Sequence, residues 1–388
     1  MISRVPLDDV CDKKIETLSS HYDGKIEYID ISSIDNVEKI ISNTQIIDSK
    51  EAPSRAKQLV KNGDILVSTV RPNLNAVAVI EKESDYVLVA STGYCVLRCN
   101  SEFNNHYVFH FCQSPYFVED MVKQATGASY PAVSNSIVKS CLMPLRSLEE
   151  QKRIATVLDK VSDLIALRKQ QLAKLDELVK ARFAEMFGDS KTNPKRWVKK
   201  RLETIAFVGS SKRVFVEELQ DTGIPFYRGT EIGALATGET VIPELFITEK
   251  HYNELCTASG TPKRGDLLMP SICPDGRIWC VDTDEPFYFK DGRVLWIHPT
   301  DNIIESTYLL YALKEKIISD YINIASGTTF AELKIFALKG LEVMIPPLPS
   351  QKSFSDFIQA VHTEQLTIQQ GLDKLEIMKK ALMQQYFE

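Results

Sequence analysis

The chain has 388 residues, 44% hydrophobic and 25% charged, which is too long for one ordinary domain and average for a globular protein, so two domains with separate cores are expected and compositional disorder is excluded. A formal net charge of −6 argues against indiscriminate binding to a polyanion, and any nucleic-acid role must rest on focused patches. No apolar run approaches membrane-spanning length and no signal-like segment follows Met1, so the expectation is a cytoplasmic protein with no membrane contact.

In chain order, residues 1–145 form a first globular part. KIEYIDISSI alternates as a strand. KNGDILVSTVRPNLNAVAVI reads as a strand-loop-strand unit: Asn62-Gly63-Asp64 turns into the apolar run from Ile65, and Pro72-Asn73 marks a second turn before Val77. YVLVASTGYCVLRC supplies a strand pair broken at Ser91-Thr92-Gly93. NHYVFHFCQSPYFVEDMVKQATG has helical spacing and predicts one helix ending at Gly127 as its C′ residue. A polar loop, ASYPAVSNSIVKS, leads to LMPL.

Residues 146–188 predict a long coiled-coil helix. Apolar side chains fall at Ile154, Leu158, Val161, Ile165, Leu172, Leu175, Val179 and Met186, a four-three alternation interrupted at Arg168. Roughly 40 residues at 1.5 Å rise give a rod of about 60 Å, so this helix is a spacer or a pairing strand.

Residues 189–345 replay the first part with different residues. IPFYRGTEI corresponds to KIEYIDISSI, KRGDLLMPSICP to KNGDILVSTVRP, and KDGRVLWIH to STGYCVLRC. STYLLYALKEKIISDYINIASG repeats the helix, with Tyr308 for Tyr107 and Gly327 for Gly127. Residues 346–388 repeat the long helix at Phe354, Ile358, Val361, Ile368, Leu372, Leu375, Leu382 and Tyr386, and Gln351 sits 200 residues after Gln151. Within the second seam Gln365 occupies the place of Ile165, and Gly371 lies mid-helix at a cost of about 1 kcal/mol relative to Ala.

The segments PLRSLEEQKRIATVLDKVSDLIALRKQQLAKLDELVKARFAEMFG and IPPLPSQKSFSDFIQ resemble the conserved regions of the specificity subunit of type I restriction-modification systems. The resemblance covers the whole chain, as variable part, helix, variable part, helix. Two departures lie in the second segment, where Ser350 replaces an acidic residue and Phe354 an isoleucine. The resemblance implies an α+β fold: two mixed α/β target recognition domains separated by two long helices that pair as an antiparallel coiled coil. It also implies a non-catalytic subunit that reads double-stranded DNA and assembles with two methyltransferase subunits and with restriction or translocase subunits. S-adenosylmethionine, ATP and Mg are then expected on those partners and no cofactor in this chain. Two different recognition domains on a stiff rod suit an asymmetric bipartite target; half-sites on one face of B-DNA lie about 34 Å apart, within reach of a 60 Å helix pair.

The residues themselves supply little chemistry. There is no N-P-P-Y loop with a glycine-rich cofactor turn for an adenine methyltransferase and no G-x-x-x-x-G-K-[ST] phosphate loop. Pro274-Asp275 with Glu332-x-Lys334 is a weak match to a metal-nuclease pattern. The eight cysteines form no C-x-x-C pair and lack a histidine at ligand spacing, so buried free thiols are expected. A self-contained nuclease or modification enzyme and a protein-binding scaffold stay open as alternatives.

DNA contacts are expected from the loops between repeated elements, because Arg and Asn suit guanine and adenine edges while Ser and Thr more often fix phosphates. In the first domain these are Ser68, Thr69, Arg71, Asn73 and Asn75, then Ser91, Thr92 and Tyr94, then Ser129 and Tyr130. Arg71 stands out because it has no acidic neighbour. In the second domain they are Arg228, Thr230, Ser271, Arg277, Arg293, Thr328 and Thr329. Lys212-Arg213 and Lys263-Arg264 stay open between solvated surface and phosphate contact. Trp279 and Trp296 sit in strand patterns and are expected in the core.

Overall fold

A computed structural model describes residues 3–300, 302–327 and 331–388 of the protein. The chain divides into two units, Met1–Leu172 with Thr367–Glu388, and Ala173–Leu366. Both long helices run 40 residues, Leu148–Phe187 and Leu348–Phe387, and each contributes one end to each unit.

In the first unit, four strands pair in the order Gln45–Asp48, Lys25–Ile29, Val87–Ser91, Ala56–Leu59, with the two central strands parallel. A second sheet pairs Tyr94–Leu97, Ile65–Ser68 and Val77–Val79, all antiparallel. The run from Val87 to Leu97 passes from one sheet to the other through Thr92-Gly93. A Cβ at Gly93 would lie 2.3 Å from Ile31 Cδ1, so a side chain there would require Ile31 to move. KIEYIDISSI is therefore a strand only as far as Ile29, followed by a single 3-10 turn over Ile31–Ser33.

The helix expected over residues 105–127 is two helices, Asn105–Phe111 and Pro115–Gln124. Pro115 cannot donate a backbone bond, and the Ser114 hydroxyl instead caps the new helix by accepting from Phe117 N. Gly127, φ +101°, lies beyond the helix end and packs against Tyr130 O. In the second unit the corresponding helix, Ser306–Ile324, lacks the proline and stays continuous except for a kink at Asp320.

The second unit repeats the scheme. Ile224–Tyr227 runs parallel to Tyr288–Phe289, as Lys25–Ile29 does to Val87–Ser91. Leu267–Pro270 lies between Val294–Pro299 and Trp279–Cys280, with Ala206–Gly209 added at the edge. Trp279 and Trp296 are core residues, each 6% exposed. All eight cysteines are free, and five of them are buried.

The long helices pair antiparallel within each unit. In the first, Ile154 and Leu158 share a core with Met383 and Phe387; in the second, Val179, Phe183 and Phe187 share one with Phe354 and Val361. The C-terminal aromatic of each helix plugs the core of one unit. Phe387 packs 5.3 Å from Tyr107 and 5.7 Å from Phe111, and Phe187 packs 4.7 Å from Tyr308. Each of those tyrosines is buried and donates its hydroxyl 2.9 Å to a carbonyl, of Pro144 and of Met344.

The glutamine at each helix start makes one bonding pattern twice. Gln151 accepts from Asn104 N at 2.9 Å and donates to Arg146 O and Glu102 O. Gln351 accepts from Glu305 N at 2.9 Å and donates to Pro346 O and Ile303 O. Both glutamines are buried, and each ties the start of its long helix to the N-terminus of a helix of the same unit. Gln365, polar within the seam, donates to Asp176 at 2.8 Å. No helix among the described residues is long and apolar enough to cross a membrane.

Candidate nucleic-acid interface

Three loops meet at one end of the first unit. The strand Ile65–Ser68 runs out into Thr69, whose amide donates to Gly93 O at 2.9 Å and whose carbonyl accepts from Val133 N at 2.9 Å. Arg71 N then donates to Pro131 O at 2.7 Å. These bonds hold loops 69–75, 91–93 and 126–133 side by side. Residues predicted from three separate stretches thus belong to one surface.

Their side chains divide into exposed and spent. Arg71, Asn73, Thr92, Ser129 and Tyr130 are exposed. Ser68, Thr69, Ser91 and Tyr94 are buried, against the expectation that all of these are surface loop residues. The reason is pairing: Tyr94 lies opposite Ser68 in the sheet and donates its hydroxyl to Asp30 O at 2.6 Å, while Thr69 Oγ1 donates to Gly93 O at 2.9 Å. Burial pushes the Tyr94 phenol above its ordinary range, so it stays a neutral donor. Asn75 is also occupied. Its amide donates to Cys112 O at 2.8 Å and its side-chain oxygen accepts from Lys39 Nζ at 2.9 Å. Burial, with the nearby Lys379 ammonium, pulls Lys39 down to about 8.

Arg71 and Asn75 both sit in the left-handed region, with φ of 49° and 47°. That conformation is uncommon for residues with a side chain and concentrates at functional sites. The Arg71 guanidinium lies over the Tyr130 ring, 4.5 Å from its centroid.

The second domain builds the same junction. Ser271 N donates to Arg293 O at 2.9 Å, and Ser271 O accepts from Leu333 N at 2.7 Å. The N-terminus of helix Gly229–Ala236 joins this end, since a Cβ on Gly229 would lie 3.4 Å from Arg293 O and 3.5 Å from Pro270. Arg277 reaches the same helix beside Gly233. Residues 210–213 join as well: Ser210 Oγ donates to Val294 O at 2.6 Å, and Lys212 N donates to the Tyr288 hydroxyl at 2.9 Å. Ser271 is itself buried, and Thr328 and Thr329 lie outside the described residues.

The arginines differ sharply between the domains. Arg228 pairs with Glu231 and Glu244, Arg277 with Asp275, Arg213 with Asp291, and Arg293 with Glu332. Thr230 donates to Glu231 at 2.8 Å. Burial disfavours the Glu231 carboxylate, yet the Arg228 guanidinium and neighbouring donors overcome it and hold its carboxyl down to about 2. Glu332 is held below its ordinary value chiefly by Lys334. The acidic residues of the weak nuclease pattern are thus engaged with basic side chains. Among the described residues no group of three or more His, Cys, Asp or Glu side chains could hold a metal.

Lys263 and Arg264 are not part of this end. They flank the turn that starts the strand Leu267–Pro270, about 13 Å of strand away from Ser271. Arg264 pairs there with Asp284 at 3.3 Å.

Sequence reasoning passed over two cations in the first domain. Lys39 supports Asn75, and exposed Arg55 lies beside Thr92, whose amide donates to Arg55 O at 2.9 Å. Neither lies in a repeated segment, so the internal repeat could not point to them.

Comparison with known proteins bears on this architecture. A family profile described as the type I restriction modification DNA specificity domain matches residues 3–177 and again 194–376. The type I restriction enzyme MjaIX specificity subunit of Methanocaldococcus jannaschii is 24% identical, over 94% of this chain and 87% of its own length. A putative type I specificity subunit of Haemophilus influenzae, S.HindORF215P, is 24% identical over 71% of this chain and 69% of its own. Among solved structures, a chain from work on complex assembly and conformational transition of the type I R-M system aligns over 99% of this chain and 97% of its own, with a TM-score of 0.61 and 23% identity. The S subunit of a type I restriction-modification system from M. genitalium aligns over 100% of this chain and 96% of its own, with a TM-score of 0.60 and 16% identity. These two share the fold of the chain.

Proposed function

The chain belongs to the type I restriction modification DNA specificity family, whose role is recognition of a DNA target, and on that premise we propose that it is the non-catalytic subunit that reads an asymmetric bipartite site. In this reading each recognition domain contacts one half-site. The observation that carries it is the repeated loop junction, formed in both domains by equivalent backbone bonds and lined with different side chains. Equal scaffolds with unequal surfaces are what two unequal half-sites require. In this reading the 40-residue helices contact no bases, and the bases between the half-sites stay unread.

The DNA-contacting set in this reading is Arg71, Asn73, Thr92, Ser129 and Tyr130 in the first domain, and Lys212, Arg213, Arg228, Thr230, Arg277 and Arg293 in the second. Ser68, Thr69, Asn75, Ser91, Tyr94 and Ser271 hold the loops in shape instead of touching bases. Because the four second-domain loop arginines are ion-paired, DNA phosphates or bases must compete with carboxylates there, which favours selective over indiscriminate contact. The chain carries no reacting group of its own here. Methylation and cleavage belong to two methyltransferase subunits and to restriction subunits, which hold S-adenosylmethionine, ATP and Mg. The paired helix starts, each with its buried glutamine, supply two similar docking places for the methyltransferases.

The test is a genome-wide map of methylated adenines in cells with and without this gene. One bipartite motif should appear only when the gene is present. An identical map in both strains would reject the proposal.

A further inference from the structure

Arg71 differs from every other arginine predicted at the interface. Arg213, Arg228, Arg264, Arg277 and Arg293 each pair with a carboxylate. Among the described residues no carboxylate pairs with Arg71, and the one group its guanidinium meets is the face of Tyr130. A ring contact uses none of the five N–H donors of the guanidinium, and among the described residues none of them is bonded to a protein acceptor, so they are open to a ligand.

The backbone sets the direction of that side chain. Arg71 adopts φ 49° and ψ 62°, so its side chain leaves the loop in a direction that an ordinary conformation would not give. The strained turn is secured on both sides, by Arg71 N donating to Pro131 O at 2.7 Å and by Pro72, which fixes the following short helix. Tyr130 is itself 67% exposed, so both members of the pair are accessible from solvent. An exposed planar cation resting on a ring, without a competing anion, matches the paired acceptors O6 and N7 of guanine in the major groove, which a rigid fork can engage together.

The geometry points to Arg71 and Tyr130 as a guanine-reading pair: Arg71 donates two parallel hydrogen bonds to a guanine edge in the half-site of the first domain, and Tyr130 fixes the plane of the fork. This assignment rests on the proposed DNA-reading function. It goes further by naming one base and the residue that selects it. A phosphate contact by the same arginine would be the contrasting outcome, since a phosphate is indifferent to sequence.

The experiment uses the full chain co-expressed with its methyltransferase subunits. Motifs are mapped by adenine methylation for the wild type, Arg71→Gln and Tyr130→Ala. Binding is then measured on oligonucleotides in which each guanine of the first half-site is replaced in turn by 7-deazaguanine, which lacks the N7 acceptor. For the wild type, one such replacement is expected to weaken binding by about 10- to 100-fold. Arg71→Gln should be indifferent to that replacement, accept other bases at that position, and keep an unchanged second half-site. Tyr130→Ala, which removes the ring beneath the guanidinium, should lose discrimination at that same position and keep the second half-site, and full discrimination in that variant would overturn the role given to Tyr130.

A first half-site without guanine would overturn the assignment, as would wild-type indifference to every replacement. So would an Arg71→Gln protein with an unchanged motif, uniformly weaker binding and a salt dependence shallower by about one phosphate contact. Failure of the underlying function is a separate result, in which the wild-type complex directs no sequence-specific methylation.

Discussion

Gln351 makes three hydrogen bonds from a fully buried position, and removing its amide takes the partner from the Glu305 N–H and from the Pro346 carbonyl. Each unsatisfied group costs about 1–3 kcal/mol, so Gln351→Ala should destabilise the second unit by roughly 2–4 kcal/mol, read as a lower urea midpoint. An unchanged midpoint would mean that water replaces the side chain. A different residue-scale expectation comes from Asp159, which accepts from His106 at 3.1 Å and from His110 at 2.7 Å. The hydrogen bond to Asp159 raises the His106 pKa, while burial lowers that of His110 despite the same partner. His106 therefore contributes stability that is full below its unfolded pKa and lost as pH rises through its folded pKa. His110 acts oppositely: its contribution is full above the unfolded pKa and lost as pH falls through that value toward the folded one. In Asp159→Asn both histidine midpoints should move down, followed by proton NMR titration. A His106 midpoint that stays raised would put its cause elsewhere, on Glu81 or Asp163.

The elements of this chain are held at their far ends. Phe187 and Phe387 are fully buried at the last turns of the long helices, each inside the core of a recognition domain. Phe387→Ala should cost about 3–5 kcal/mol and loosen the first unit in particular, visible as faster amide exchange over Asn105–Phe111. Exchange that accelerates equally in both units would contradict the local role. The seam itself was legible in the sequence, because a four-three repeat needs only spacing; Ile154, Leu158, Val161 and Val179 are buried where the pattern puts them. The aromatic plugs were not, because Phe183 and Phe187 look like helix residues until Tyr308 and Phe354 arrive from distant sequence. The loop set was legible as a region and not as a list. Turn chemistry put Thr69, Ser91 and Tyr94 in surface loops, whereas Ser91 ends one strand, Tyr94 begins the next and all three are buried, through partners such as Ser68 and Asp30 that spacing does not reveal. Local chemistry also misplaced one boundary: the helical period of residues 105–124 concealed the break that Ser114 and Pro115 impose.

For the whole molecule, the internal repeat divides labour. The bonds that join the loops, the buried glutamines and the tyrosine-to-carbonyl contacts recur in both units, while the exposed side chains at the junctions do not. A scaffold specified twice, with its reading surface varied independently each time, should accept a foreign domain without disturbing the other half. The most direct measurement is a methylated-adenine map after residues 1–145 are exchanged for the first domain of another member of this family, in the full complex with its methyltransferase. The expected map has a new first half-site, the original second half-site and the original gap. A map in which both half-sites change, or in which neither does, would contradict the assignment of one half-site to each domain.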